Sequence, residues 1–439
     1  MSLIVLKTKG STYLEQPTFV PTGTLDITSE GTYNITNYEF VKVLIESGGG
    51  GFQKVACSNE TTWVLDSNGT LWGCGRNALG QQSSGDTEDV LTFTQRLTNV
   101  KDFVCSDLAT FALKNDNTLW GCGWNNYGQQ GSGDTTNVTT FTQRLTDVKE
   151  IVYSRSTTWA IKNNDTLWGC GWNVYGQQGS DDIEDVLTFT QRMINVKSAY
   201  CGSNTTWVLK KDNTLWGCGS DVYGQQGTGT EEYDYMDVTI FTQRLADVKS
   251  VACSSDTTWA IKNDNTLWGC GWGGYGQQGS GDFDDVRLFT QRLTNVKDVT
   301  CSNNVTWVIK NDDTLWGCGE NDYGQQGSGD TARVTTFTQR MINIKSIACS
   351  SSTTWAIKND DTLWGCGNGD YGQQGSGDAI RVYTFTQRLT NVESVLCDSG
   401  VTWVAKKDGT LWGCGLGDYG QQGSGDTDRA YTFTQRTLE

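Results

Sequence analysis

The tryptophan of the motif LWGCG recurs eight times, at Trp72, Trp120, Trp168, Trp216, Trp268, Trp316, Trp364 and Trp412, with 48 residues between copies at every step but one, which is 52. A period of about 50 kept this strictly means stacked equivalent units, each burying its apolar surface against its neighbours. The 439 residues therefore count units rather than domains, and the question of fold reduces to one unit.

From Phe52 onward each unit carries four strand signals separated by turn residues. In the fifth copy these are VKSVAC (248–253), TTWAIK (257–262), TLWGCG (266–271) and LFTQRL (288–293). Asn263-Asp264-Asn265 joins the second and third, a tight hairpin of the kind Asn and Asp tolerate. Four antiparallel strands per unit make a propeller blade, and 53 Gly against 2 Pro suit many short strands joined by tight turns. The expected fold is an all-β, eight-bladed propeller over 52–439, the alternative being seven blades and a spare repeat. The first copy has no TFTQR strand before it and the last ends on one, so the C-terminal strand is expected to complete the first blade and close the ring.

Residues 1–47 lack the repeat. Their alternating apolar positions (Leu25, Ile27, Tyr33, Ile35, Val41, Val43) read as a small β attachment module, joined through a glycine linker at 48–51.

A formal net charge of −17 argues against nucleic acid, which requires a basic face to displace counterions. No apolar run reaches the roughly 20 residues of a membrane span, and the first residues read as no secretory signal. The 15 cysteines occupy two repeat positions, in LWGCG and in the preceding V-x-C strand, where the third copy has Tyr153. An odd count and a position that accepts tyrosine point to small buried thiols rather than disulfides.

The repeat resembles that of the regulator of chromosome condensation superfamily, with three departures: its histidine is absent, its tryptophan gives way to the cysteine of GCG, and its Q-L-G is QQG here. The resemblance implies a propeller, usually of seven blades, in a superfamily of nucleotide-exchange factors, enzyme inhibitors and binding scaffolds. The stretch ITSEGTYNITNYEFVKV (27–43) resembles β modules of tail and baseplate proteins from phages of Gram-positive bacteria. That second resemblance implies attachment to a phage-like tail.

Residues identical in every copy serve a need common to every blade, so the eight LWGCG tryptophans are expected to pack between blades. The arginines of TFTQR (Arg96 to Arg436) are expected to form an ion-pair belt with the aspartates of S-G-D. Variable positions are the better candidates for partner binding. The slot after GCG holds Arg76, Trp124, Trp172, Ser220, Trp272, Glu320, Asn368 or Leu416, and the only insertion places Tyr233, Tyr235 and Met236 in an acidic loop. Arg76, the three tryptophans and these loop residues are the candidate contacts, since aromatic side chains anchor interfaces and loop insertions carry function.

Chemistry finds little support. Without histidine there is no Ser-His-Asp or Cys-His pair, no Cys-x-x-Cys spacing offers a metal or redox site, and KNDD turns lack the calcium-loop spacing. No enzyme activity, cofactor or metal is expected. The expected function is binding: a receptor-binding or tail-fibre component recognising a protein or glycan on a bacterial surface, in a virion or tail-like particle released by lysis. The alternatives are an exchange-factor-like or inhibitor propeller, and a cytoplasmic location.

Overall fold

The computed structural model describes residues 43–44 and 51–438, except 59, 107, 155, 230–236, 303 and 399. The described residues contain strands and no helix. Eight four-stranded antiparallel sheets follow one another in sequence order, one per repeat, so the ring has eight blades and no spare unit. In blade 5 the strands are Val248–Cys253, Thr257–Lys262, Leu267–Gly271 and Val286–Leu293, matching the sequence reading within a residue or two.

The first strands touch from blade to blade around the whole circle, from Phe52–Cys57 through to Val392–Asp398 and back, and so line its inside. The fourth strands form the outer rim. Each rim strand has a threonine whose hydroxyl returns to a main-chain carbonyl two residues back, as Thr94 does to Thr92 at 3.1 Å. Occupying edge carbonyls in this way blunts a free edge against pairing with another chain.

Ring closure differs from the expectation. The last strand, Ala430–Arg436, pairs with Leu411–Gly415 of its own blade, and the first blade owns its fourth strand, Val90–Leu97. Blade 1 takes that strand from its own repeat because the eight units are cut in phase with the sheets. Closure comes from face-to-face packing of blade 8 on blade 1, where Val55, Cys57 and Phe93 share one apolar core with Trp403 and Val404.

Two glycines show why the motif reads GCG. Gly269 lies opposite Trp259 in the strand register, and a Cβ there would strike the indole that crosses it. Gly271 has φ +110°, and a Cβ there would collide with the carbonyl of Asp256.

The apolar seam between blades is built by the other recurring tryptophan, that of TTW, present in seven of the eight copies. Trp63, Trp159, Trp207, Trp259, Trp307, Trp355 and Trp403 are fully buried, and each meets the TFTQR phenylalanine of the next blade edge to face, as Trp259 does Phe337 at 5.8 Å. Burial of such a ring stabilises by about 2–3 kcal/mol, and the edge-to-face pair adds about 1 kcal/mol. The eight LWGCG tryptophans are only half-buried. Trp268 donates its indole N–H to Thr266 at 2.9 Å and lies under the ammonium of Lys262 at 4.4 Å. Trp72, Trp216, Trp316 and Trp412 reach the margin of the inter-blade cores but do not fill them.

The small module expected at 1–47 lies outside the described residues except for Val43–Leu44. That short strand pairs antiparallel with Phe52–Cys57 and extends the sheet of blade 1.

Candidate functional site

Because consecutive strands run antiparallel, the first-to-second turns and the long third-to-fourth loops emerge on one face of the ring. The second-to-third hairpins and the blade-to-blade turns emerge on the other. That second face is regular. Its hairpins repeat one geometry, with Asn265 at φ +62°, and its lysines pair with turn aspartates within and across blades, as Lys149 and Lys211 both do with Asp165.

The loop face begins at the variable slot. In all eight blades the N–H of that residue donates to the carbonyl of a first-to-second turn residue sixteen positions earlier, as Arg76 does to Glu60 at 2.8 Å and Trp272 to Asp256 at 2.7 Å. The side chains of the two positions also match. Arg76 places Nη1 2.7 Å from both carboxylate oxygens of Glu60, which holds the guanidinium above its usual basicity. Glu320 accepts from Asn304 at 2.7 Å, and Leu416 occupies the space that a Cβ on Gly400 would need. Variation in the slot is thus partly complementarity within a blade.

Beyond the slot, G-Q-Q staples the ring. The carbonyl of its first glutamine accepts from the next blade's LWGCG thiol in every pair of blades, for example Cys122 to Gln81 at 3.4 Å. In six pairs it also accepts a threonine hydroxyl, for example Thr158 to Gln129 at 2.7 Å. The second glutamine donates to its own blade's cysteine carbonyl, as Gln82 does to Cys74 at 2.8 Å. All 15 thiols are buried and none is joined in a disulfide. Burial pushes the LWGCG thiols far above the usual thiol range, and pushes Cys301 up to about 11.

The belt of arginines and S-G-D aspartates does not form. Asp86 instead accepts from Ser84 at 2.6 Å and from Asn77 at 3.2 Å, so it caps its own loop. Arg96 feels that aspartate only through its field, while burial lowers its basicity. The Nε of all eight TFTQR arginines finds no acceptor among the described residues. A short aspartate that can close its own turn outcompetes a guanidinium across the gap.

The tyrosine before G-Q-Q is what the slot residues meet. Trp124, Trp172 and Trp272 each pack edge to face on the tyrosine three residues on, Tyr127, Tyr175 and Tyr275, at 5.1–5.3 Å. Trp172 and Trp272 also lean on the preceding blade's Tyr127 and Tyr223, at 5.5 and 5.6 Å. The three tryptophans are therefore half-buried members of an aromatic arc across blades 2 to 5. Candidate residues Tyr233, Tyr235 and Met236 lie outside the described residues.

From blade 5 round to blade 1 a guanidinium replaces the tryptophan. Arg333 lies 4.2 Å over Tyr275, Arg381 4.6 Å over Tyr323, Arg429 5.2 Å over Tyr371, and Arg76 5.2 Å over Tyr419. The first three pair with Asp322, Asp370 and Asp418 of their own loops at 3.1–3.3 Å, which holds each above the usual arginine value. Sequence reasoning passed over these arginines. The available signal was an Asp directly before the tyrosine with an Arg eleven residues later, present only in copies 6 to 8. Where they stand, copies 1 to 5 have Asp89, Asn137, Asp185, Asp237 and Asp285. Asp89, Asn137, Asp185 and Asp285 each cap a backbone N–H just beyond the slot, as Asp285 does that of Gly273 at 3.0 Å. Nearby Asp256 is raised to about 6 by burial and then by Asp285. Among the described residues no group of three or more Asp, Glu or Cys side chains is arranged to hold a metal ion.

The half-aromatic, half-guanidinium face stands on a ring with known relatives in shape. Human WBSCR16 is 19% identical, with 73% of this chain and 94% of that one covered and a TM-score of 0.59. Prp20p of Saccharomyces cerevisiae, described with its binding to Gsp1p and histones, is 17% identical, with 76% and 90% covered and a TM-score of 0.59. A structure of Kap60 bound to yeast RCC1 (Prp20) gives 14%, 89%, 94% and 0.60. No curated protein sequence matches the chain. At these identities the likeness concerns the fold. Residues 52–81, 100–129, 248–277 and 344–373 match the regulator of chromosome condensation (RCC1) repeat, so these stretches are similar to that repeat and the ring is similar in fold to those structures.

Proposed function

We propose that the protein is a non-enzymatic binding scaffold whose third-to-fourth loop face holds a macromolecular partner. The observation that carries this reading is the broken symmetry of that face. The eightfold features already have partners within or between blades, whereas the slot tryptophans occur only in blades 2, 3 and 5, and the stacked loop arginines only in blades 6 to 8. A ring selected for stacking alone gains nothing from that division. The sequence offers no histidine and the thiols are buried, so the exposed groups suit recognition rather than group transfer.

The finer form of the proposal is a receptor-binding component of a phage-like tail, carried on residues 1–47 and recognising a protein or glycan on a bacterial surface. It draws on the sequence of 27–43. Purified full-length protein, applied to a panel of Gram-positive and Gram-negative cells, should bind selectively. A Trp172→Ala/Trp272→Ala variant that stays folded by circular dichroism should lose that binding. Uniform binding, or selective binding untouched by the variant, would overturn the reading. A nucleotide-exchange role is the second reading, favoured by the repeat match and the likeness to Prp20p, and a nucleotide-release assay on a small GTPase tests it.

A further inference from the structure

We infer that each seam between blades encloses an ordered water molecule, held by the TFTQR arginine and the second glutamine of G-Q-Q. This site is separate from the binding role proposed above and does not depend on it. Among the described residues, two buried side-chain atoms lack a hydrogen-bond partner in all eight blades: the arginine Nε, from Arg96 to Arg436, and the glutamine Oε1, from Gln82 to Gln422. All eight glutamines are fully buried. A single orphan of this kind is an exception to be explained singly, whereas the same donor and the same acceptor left over eight times mean that the repeat is built around a common guest.

The seam of blades 6 and 7 shows how the two atoms come to face one gap. The amide nitrogen of Gln326 is already engaged, donating to the carbonyl of Cys318 at 2.9 Å. Its Oε1 lies over Gly317, where an added Cβ would stand 2.6 Å from that oxygen and 2.5 Å from the ring of Trp307. Trp307 meets Phe385 of blade 7 at 5.9 Å, so this is the side of the sheet that faces blade 7. Gly317 pairs with Thr338 of the rim strand, and Arg340 stands two residues further along it, where the Cys366 thiol of blade 7 feels its charge. That thiol is committed to the carbonyl of Gln325 at 3.4 Å and does not serve Oε1. Tryptophan is not what organises the pair, because blade 2 has Phe111 in its place and still leaves Gln130 Oε1 and Arg144 Nε without partners. The chemistry selects the guest. Nε–H needs an acceptor and Oε1 needs a donor; a halide serves only the first and a metal ion only the second, whereas one water serves both. Folded proteins hold about one buried water per 27 residues, so eight in a chain of this length lie within the ordinary range.

The test is a crystal structure of the full-length protein at a resolution that shows ordered water. In every seam a water peak should stand about 2.7–3.2 Å from both Nε and Oε1. A Gln326→Met/Arg340→Met variant, which removes donor and acceptor at one seam, should lose the peak there and keep the other seven. Crystals soaked in bromide should show no anomalous peak in any seam. In solution, relaxation dispersion of the water oxygen should count at least eight long-lived waters per chain, a readout on the parent protein that needs no variant to fold. Direct contact of Nε with Oε1, dry seams, bromide in place of water, or a count below eight overturns the inference. A peak that persists between blades 6 and 7 in the variant overturns it too, since other groups would then hold the water.

Discussion

The thiol of Cys74 lies 3.6 Å from the main-chain carbonyl oxygen of Gln421, and the hydroxyl of Thr62 donates to that same oxygen at 2.8 Å. These residues sit in the first and last blades, yet the contact reproduces the joint between Cys170, Thr158 and Gln129 inside the ring. Closure is one more copy of the standard interface rather than a special latch.

That equivalence predicts equal costs at two places. Thr62→Val and Thr158→Val each remove one buried hydroxyl and its hydrogen bond with little change in volume. Each should lower the unfolding free energy by about 1 kcal/mol, and the two should agree within about 0.5 kcal/mol when measured by urea unfolding. A closing joint that frays would show a markedly smaller effect for Thr62→Val.

A second prediction concerns the interface between blades 2 and 3. Blade 2 has Phe111 where seven blades have a buried tryptophan, and blade 3 has Tyr153 where its neighbours have cysteine. The two rings meet at 5.0 Å, both fully buried, so the larger ring of one blade fills what the smaller ring of the other leaves. Tyr153→Cys alone should open a cavity costing about 3 kcal/mol. Phe111→Trp alone should overpack the seam by about 1–3 kcal/mol. The double variant should recover most of both losses, a coupling of at least about 1 kcal/mol in a double-mutant cycle. Simple additivity would mean the two substitutions do not compensate.

The thiols give a third. Burial raises their pKa by keeping the thiolate out of water, so the native protein should not react with a thiol-specific reagent at pH 8. After denaturation all 15 should titrate, with or without prior reductant. Rapid modification of even a few in the native state, or a reductant-dependent count, would falsify the buried-thiol reading.

The period of the sequence made blade number, strand order and the hairpin at Asn263-Asp264-Asn265 readable, because these depend on local turn chemistry and on counting. What remained hidden depends on which surfaces of two copies meet. Both Trp259 and Trp268 recur in their repeats, and nothing in their spacing says that Trp259 faces the next blade; the register opposite Gly269 decides it. The staple from Cys74 to Gln421 crosses nearly the whole chain, and Arg333 covers Tyr275 in another blade. The sequence marks the slot as a variable position, but does not show that each tryptophan there already has a tyrosine to lean on. The S-G-D aspartates were misassigned because charge complementarity along a repeat does not reveal that a nearer serine and asparagine satisfy the carboxylate first.

The last prediction joins stability to the candidate face. Asp256 lies in the turn whose carbonyl receives the N–H of Trp272, and burial, with Asp285 adding to it, raises its carboxyl from the ordinary 3.8 to about 6. A carboxylic acid whose pKa is higher folded than unfolded binds its proton more tightly in the native state. Its contribution is therefore fully favourable below pH about 4 and is lost as pH rises through about 6. Allowing for partial exposure, ionised Asp256 should cost the native state about 1–2 kcal/mol at pH 7.5. Asp256→Asn should be more stable than the parent by that amount at pH 7.5 and indistinguishable from it near pH 4. Asp165 and Asp361 run the opposite way, since their lysine partners lower them despite burial, and they destabilise the fold in acid. Urea unfolding of parent and variant across pH 4–8 cancels those shared terms and leaves a difference that rises with pH around 6. A flat difference would show that water or a neighbouring donor already relieves Asp256, and that the turn beneath Trp272 carries no buried charge.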